Sequence, residues 1–151
     1  MSITEKISHA AERKAFETVL DSMLKKGQTQ DVGDCVAGGR IYCHINAAGD
    51  VEPCVFIHYS GANIREKSFL ECLQQPLFKL YRKGQPFNGN HLRPCPMLEN
   101  PELLPKMVAD SGAHSTDLEA PESAEHLCAK CKEYAAHWKP EAEKLWAENH
   151  S

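Results

Sequence analysis

The first thirty residues hold no uninterrupted apolar core and no small-residue cleavage site, so neither a secretory leader nor a membrane span is expected there. No block of basic residues stands out either. With 17 Lys and Arg against 21 Asp and Glu, the formal charge is -4 and the cations are scattered, so neither nucleic acid nor an anionic membrane is an expected partner. There is no internal repeat and no low-complexity tract. A cytoplasmic location is therefore expected, and in that reducing compartment seven cysteines make a poor disulfide framework, with one left over. Metal binding gains weight accordingly. The 151 residues, 42% of them hydrophobic, suit one compact domain rather than two.

Hydrophobic spacing gives helix, hairpin, then helices, an α+β order. Ile7, Ala11, Phe16, Val19, Leu20, Met23 and Leu24 recur at helical spacing before Gly27, and Gln28 to Asp34 reads as a polar linker. A strand over Arg40 to Asn46, a turn at Ala47-Ala48-Gly49-Asp50 and a returning strand over Val51 to His58 make the hairpin. Pro53 has no amide proton for a ladder and so marks an edge or a bulge, which can redirect Cys54. Ser68 and Glu71 have capping-box spacing, Pro76 ends or kinks that helix, and Gly84 closes the segment. Another helix starts at Asn100-Pro101 and runs to Gly112. Residues 112 to 121 are the expected exposed loop, and Pro121 opens a last helical region that Pro140 divides.

The thiols carry the chemistry. Cys35 and Cys54 frame the hairpin, Cys43 lies on its first arm, and Cys95 stands in an Arg-Pro-Cys-Pro turn. Four thiols on turns and strand ends can converge on one soft centre, and thiolates select zinc, Cu(I) or iron–sulfur clusters. Cys43 has a second reading, because Ile41 and Ile45 share its strand face and a core thiol suits it as well. Cys72, beside Leu70 and Leu73 in a helix, reads as packing. Cys128 and Cys131 have a chelating spacing, yet with Ala135 and Trp138 they form one stripe at helical spacing, and packing is the favoured reading. His44, His58, His91 and His114 are further candidate ligands or substrate contacts.

The run from Cys35 to about Leu98 resembles the SPASM or shorter twitch domain, the C-terminal auxiliary-cluster region of radical SAM enzymes. Three elements carry the likeness: the Cys-x13-Gly-x4-Cys frame, the Gly-Asp-Val-x-Pro-Cys hairpin, and the Asn-Ile-x-x-Lys-Ser-x-Leu-Glu stretch after it. The resemblance implies a small β-hairpin cluster-binding core flanked by several α-helices, with one 4Fe-4S cluster on Cys35, Cys43, Cys54 and Cys95. It divides the chain into a helix and linker over 1–34, the cluster domain over 35–98 and a helical extension over 99–151. The family's second cysteine group is incomplete, because no cysteine follows Cys128-x2-Cys131.

The Cys-x3-Cys-x2-Cys motif that binds S-adenosylmethionine is also absent from the seven cysteines. No autonomous radical chemistry is then expected, and S-adenosylmethionine would enter only through a separate or missing core domain. The implied role is electron relay or substrate positioning for a radical SAM catalytic domain or enzyme, with a peptide or small molecule as substrate. Two rivals are a structural zinc module on the same thiols and a metal-free helical interaction module.

Overall fold

The computed structural model describes residues 35–150, so the expected helix ahead of Gly27 and its linker lie outside the described residues. The described chain is α+β. Strand β1 (His44–Ile45) pairs antiparallel with β2 (Val51–Glu52), placing His44 opposite Glu52 and Ile45 opposite Val51. Asn46 shapes the turn between them: its Oδ1 accepts from the amides of Ala48 and Asp50, and Gly49 takes φ 93°, a conformation open to glycine.

Both strands are shorter than expected, for local reasons. Gly38 and Gly39, at φ 68° and 71°, fold the chain back so that the amides of Ile41 and Tyr42 both bond to the Val36 carbonyl. Those residues are thus lost to the ladder. On the returning arm Pro53 cannot donate, and Cys54 and Ile57 close a tight bridge instead of extending β2. Strand β3 (Tyr59–Ser60) then pairs with β4 (His114–Ser115), which lies inside the segment expected to be an open loop.

Glu52 ties the two small sheets together. Its carboxylate is fully buried and accepts from Thr116 Oγ1 at 2.6 Å and Asn46 Nδ2 at 3.1 Å on Oε1. On Oε2 it meets the Nδ1 atoms of His44 and His58 at 2.8 and 3.1 Å. A buried carboxylate is tolerated only with such a set of partners.

Among the described residues five helices follow the capping and proline signals. Helix α1 (Phe69–Cys72) carries the expected capping box between Ser68 and Glu71. Pro76 occupies the first turn of α2 (Pro76–Lys83), where its missing amide costs nothing, and Gly84 caps the end. Helix α3 (Leu103–Ser111) stops at Gly112 in the left-handed conformation. Ser123 caps α4 (Ala124–Ala129).

The last helix, α5 (Lys132–His150), runs straight through Pro140, contrary to the expected division. One lost backbone bond is outweighed by anchors on both sides: Trp138 Nε1 donates to the Leu92 carbonyl, and Asn90 Nδ2 donates to the Ala142 carbonyl. Among the described residues no helix is long and apolar enough to cross a membrane.

The core has two parts, and α2 supplies both. Leu77 and Tyr81 pack with Ile57, Tyr59, Leu104, Met107 and Cys128, whereas Phe78 packs with Val51, Ala62 and Cys72. Each large side chain buried this way contributes about 1.5–3 kcal/mol.

Candidate metal centre

Three loops each present one cysteine with its backbone amides turned toward the sulfur. In the first, Cys35 is followed by the Gly38-Gly39 turn; the Ala37 amide lies close enough to the Cys35 sulfur to favour its charged form, and the Gly38 amide bonds to the Pro53 carbonyl, joining this loop to the second. In the second, the Ile57 amide bonds to the Cys54 carbonyl at 3.2 Å, and the amides of Phe56 and Ile57 lie close enough to the sulfur to favour its charged form. In the third, Met97 and Leu98 donate to Cys95 Sγ at 3.5 and 3.4 Å. That last loop is held from outside as well. Glu99 accepts from the Cys95 amide at 2.8 Å, and Asn100 Nδ2 donates to the carbonyls of Arg93 and Cys95.

An amide aimed at sulfur favours the thiolate, the form that binds metal. Burial works against it: Cys35 and Cys54 are raised, Cys95 is pushed up to about 11, and in each burial is the largest cause. A positive centre that takes up the negative charge removes that conflict.

Cys128 joins these three from α4. It is buried in the same core cluster that Cys35 and Cys54 pack against, and its thiol is pushed up to about 12 by burial first, then by Cys131 and Cys95. The Tyr81 ring lies among all four. Its hydroxyl is raised well above the ordinary value by burial first and then by Cys35, Cys54, Cys95 and Cys128 in turn. Tyr81 is fully buried, and its oxygen has no hydrogen-bond partner.

Cys43 is placed elsewhere. It packs against the second core part, beside Cys72. The structure thus brings Cys35, Cys54 and Cys95 together, sets Cys43 apart, and adds Cys128. Cys131 is three residues on, but its sulfur points back along the helix, 3.9 Å from the Leu127 carbonyl, as a thiol donor. Cys72 Sγ does the same toward Lys67 O at 3.9 Å. All seven cysteines are free thiols.

The donor set suits an iron–sulfur cluster better than one ion. Among the described residues no three His, Cys, Asp or Glu side chains converge closely enough to hold a single metal ion. Zinc, with bonds of about 2.3 Å to each sulfur, requires that convergence. A cluster accepts thiolates spread around a larger body; Cys35, Cys54 and Cys128 meet in one core cluster with Tyr81, whose hydroxyl has no partner, and Cys95 acts electrostatically on both Cys128 and Tyr81.

Residues 35–97 match the model of the SPASM family, an iron-sulfur cluster-binding domain. Over these residues the chain is similar to a SPASM domain, a kind of domain that binds iron–sulfur clusters. The match begins at Cys35 and takes in Cys54 and Cys95, while Cys128 falls beyond its end. No curated protein and no solved structure shows a significant match to the chain.

The candidate histidines have other occupations. His44 and His58 face Glu52, His91 lies against Trp146 with ring centroids 5.1 Å apart, and His114 sits on β4. Sequence reasoning missed Tyr81, Glu99 and Asn100. The available sign was weak: a tyrosine on an apolar helix face needs a partner for its hydroxyl, and nothing nearby in sequence supplies one.

Proposed function

We propose that this chain seats one 4Fe-4S cluster on Cys35, Cys54, Cys95 and Cys128, and that the cluster is an auxiliary redox centre serving a radical SAM catalytic domain or enzyme. The grouping of these four thiols around Tyr81, away from Cys43, is the observation that carries the ligand set. When bound, the cluster supplies one-electron chemistry at a potential tuned by its surroundings. The chain's own contribution is to hold the four thiolates, shield them in an apolar core and point amides at three of the sulfurs.

Four cysteine ligands leave no iron open, which favours electron relay over direct binding of the partner's peptide or small-molecule substrate. S-adenosylmethionine belongs to the partner or missing core in this reading, because the seven cysteines lack the Cys-x3-Cys-x2-Cys spacing. The test is anaerobic reconstitution followed by metal analysis. About four irons and four sulfides per chain, with brown visible absorption, is the expected result; zinc without iron, or no metal at all, contradicts it. With S-adenosylmethionine and a strong reductant the loaded chain should give no 5'-deoxyadenosine above the blank, and clear production would overturn the auxiliary role.

A further inference from the structure

Three buried side-chain polar atoms among the described residues lack a partner: Tyr81 Oη, Gln85 Oε1 and Arg93 Nε. All three flank the thiols. Gln85 reaches the Cys35 carbonyl through its Nε2 at 3.1 Å, Arg93 stands two residues before Cys95, and Tyr81 lies among four cysteines. Buried hydroxyls are almost always satisfied, so an orphan donor inside a core marks a place where a further acceptor belongs. Gln85 Oε1 is itself an acceptor, which leaves the phenol as the donor most deeply set among the sulfurs.

Tyr81 is also held in place. The Gly38 backbone passes so near that a Cβ built there would stand 2.5 Å from Tyr81 Cβ and Cγ, and Phe87 meets the ring edge-on with centroids 5.4 Å apart. Packing alone would be served equally by phenylalanine, as Phe78 shows one turn earlier on the same helix. The hydroxyl is surplus to packing and costs desolvation unless it donates.

We infer that Tyr81 is a hydrogen-bond donor to the cluster, bonding a cluster sulfur or a ligating thiolate and setting the reduction potential. This rests on the iron–sulfur reading above. Reduction adds one electron to the cluster, and a donor stabilises that added negative charge, so the hydroxyl raises the potential.

The experiment compares the reconstituted full chain with Tyr81→Phe by iron content, electron paramagnetic resonance and mediated potentiometric titration. The variant should hold the same iron and titrate at a lower potential, by up to a tenfold change in the one-electron equilibrium, about 59 mV. A loaded variant with an unchanged potential overturns the donor role and leaves the cluster reading intact; a wild-type chain that takes up no iron overturns both. If Tyr81→Phe cannot be loaded, incorporating 3-fluorotyrosine into the wild-type chain decides. Its stronger phenolic donor should raise the potential, and no shift counts against the proposal.

Discussion

Phe78 and Tyr81 stand one turn apart on α2, and six of the seven cysteines divide between them. Around Phe78 lie Cys43 and Cys72, with Val51 and Ala62, in a part of the core where sulfur behaves as a small hydrophobe. Around Tyr81 lie Cys35, Cys54, Cys95 and Cys128. The direction of the hydrogen bonds separates Cys72 from Cys95. Cys72 gives its proton to a carbonyl, while Cys95 takes two amide protons, contacts that would favour its thiolate once a metal is bound. Burial raises the thiols in both regions, so burial alone does not mark a ligand; at Cys35, Cys54 and Cys95 amides directed at the sulfur add a mark that Cys128 lacks.

The largest effect should come from the Tyr81 side. Cys54→Ala or Cys95→Ala is expected to abolish four-iron loading, measured by iron and sulfide analysis after anaerobic reconstitution; full iron content in either variant breaks the division. Next comes Glu52→Leu, which strands the Thr116 hydroxyl, takes away the shared partner of His44 and His58 and loosens the hairpin from β3 and β4. Roughly 1–3 kcal/mol is expected for each buried group left unpaired. Denaturant unfolding of the iron-free chain checks this, and a midpoint unchanged from wild type contradicts it.

Smaller is Gly38→Ala. It costs about 1–2 kcal/mol for a left-handed residue alone and more for displacing Tyr81, so a variant as stable as wild type would show that this approach is not tight. Smallest is Cys72→Ala on the Phe78 side: about 1–2 kcal/mol of stability with unchanged iron. Lost iron there would place Cys72 in the site.

Much of this was legible in the sequence, and the misses share a cause. The α+β order, the capping box at Ser68, the Gly49 turn and the helix stops at Gly84 and Gly112 are set by residues near in sequence. So is the placement of Cys35, Cys54 and Cys95 on turns. Distance along the chain defeats the rest. Cys128 lies on a helical stripe that looks like packing and is in fact buried, yet α4 folds against the core that Cys35 and Cys54 also meet. Cys43 looked near Cys35 because only the Gly38-Gly39 turn separates them. That turn instead sends the chain to the other side of α2, toward Phe78. The β3–β4 pairing was hidden for the same reason, with Tyr59 and Ser115 more than fifty residues apart.

Cluster retention in Cys43→Ala against Cys128→Ala tests the central claim most directly. Both variants would be reconstituted anaerobically and compared by iron content, visible absorption and electron paramagnetic resonance. Cys43→Ala should keep about four irons and the wild-type spectra, while Cys128→Ala should lose the cluster or convert it to a three-iron form. The opposite pattern, with the cluster lost from Cys43→Ala and intact in Cys128→Ala, would contradict the account and return the fourth ligand to the hairpin.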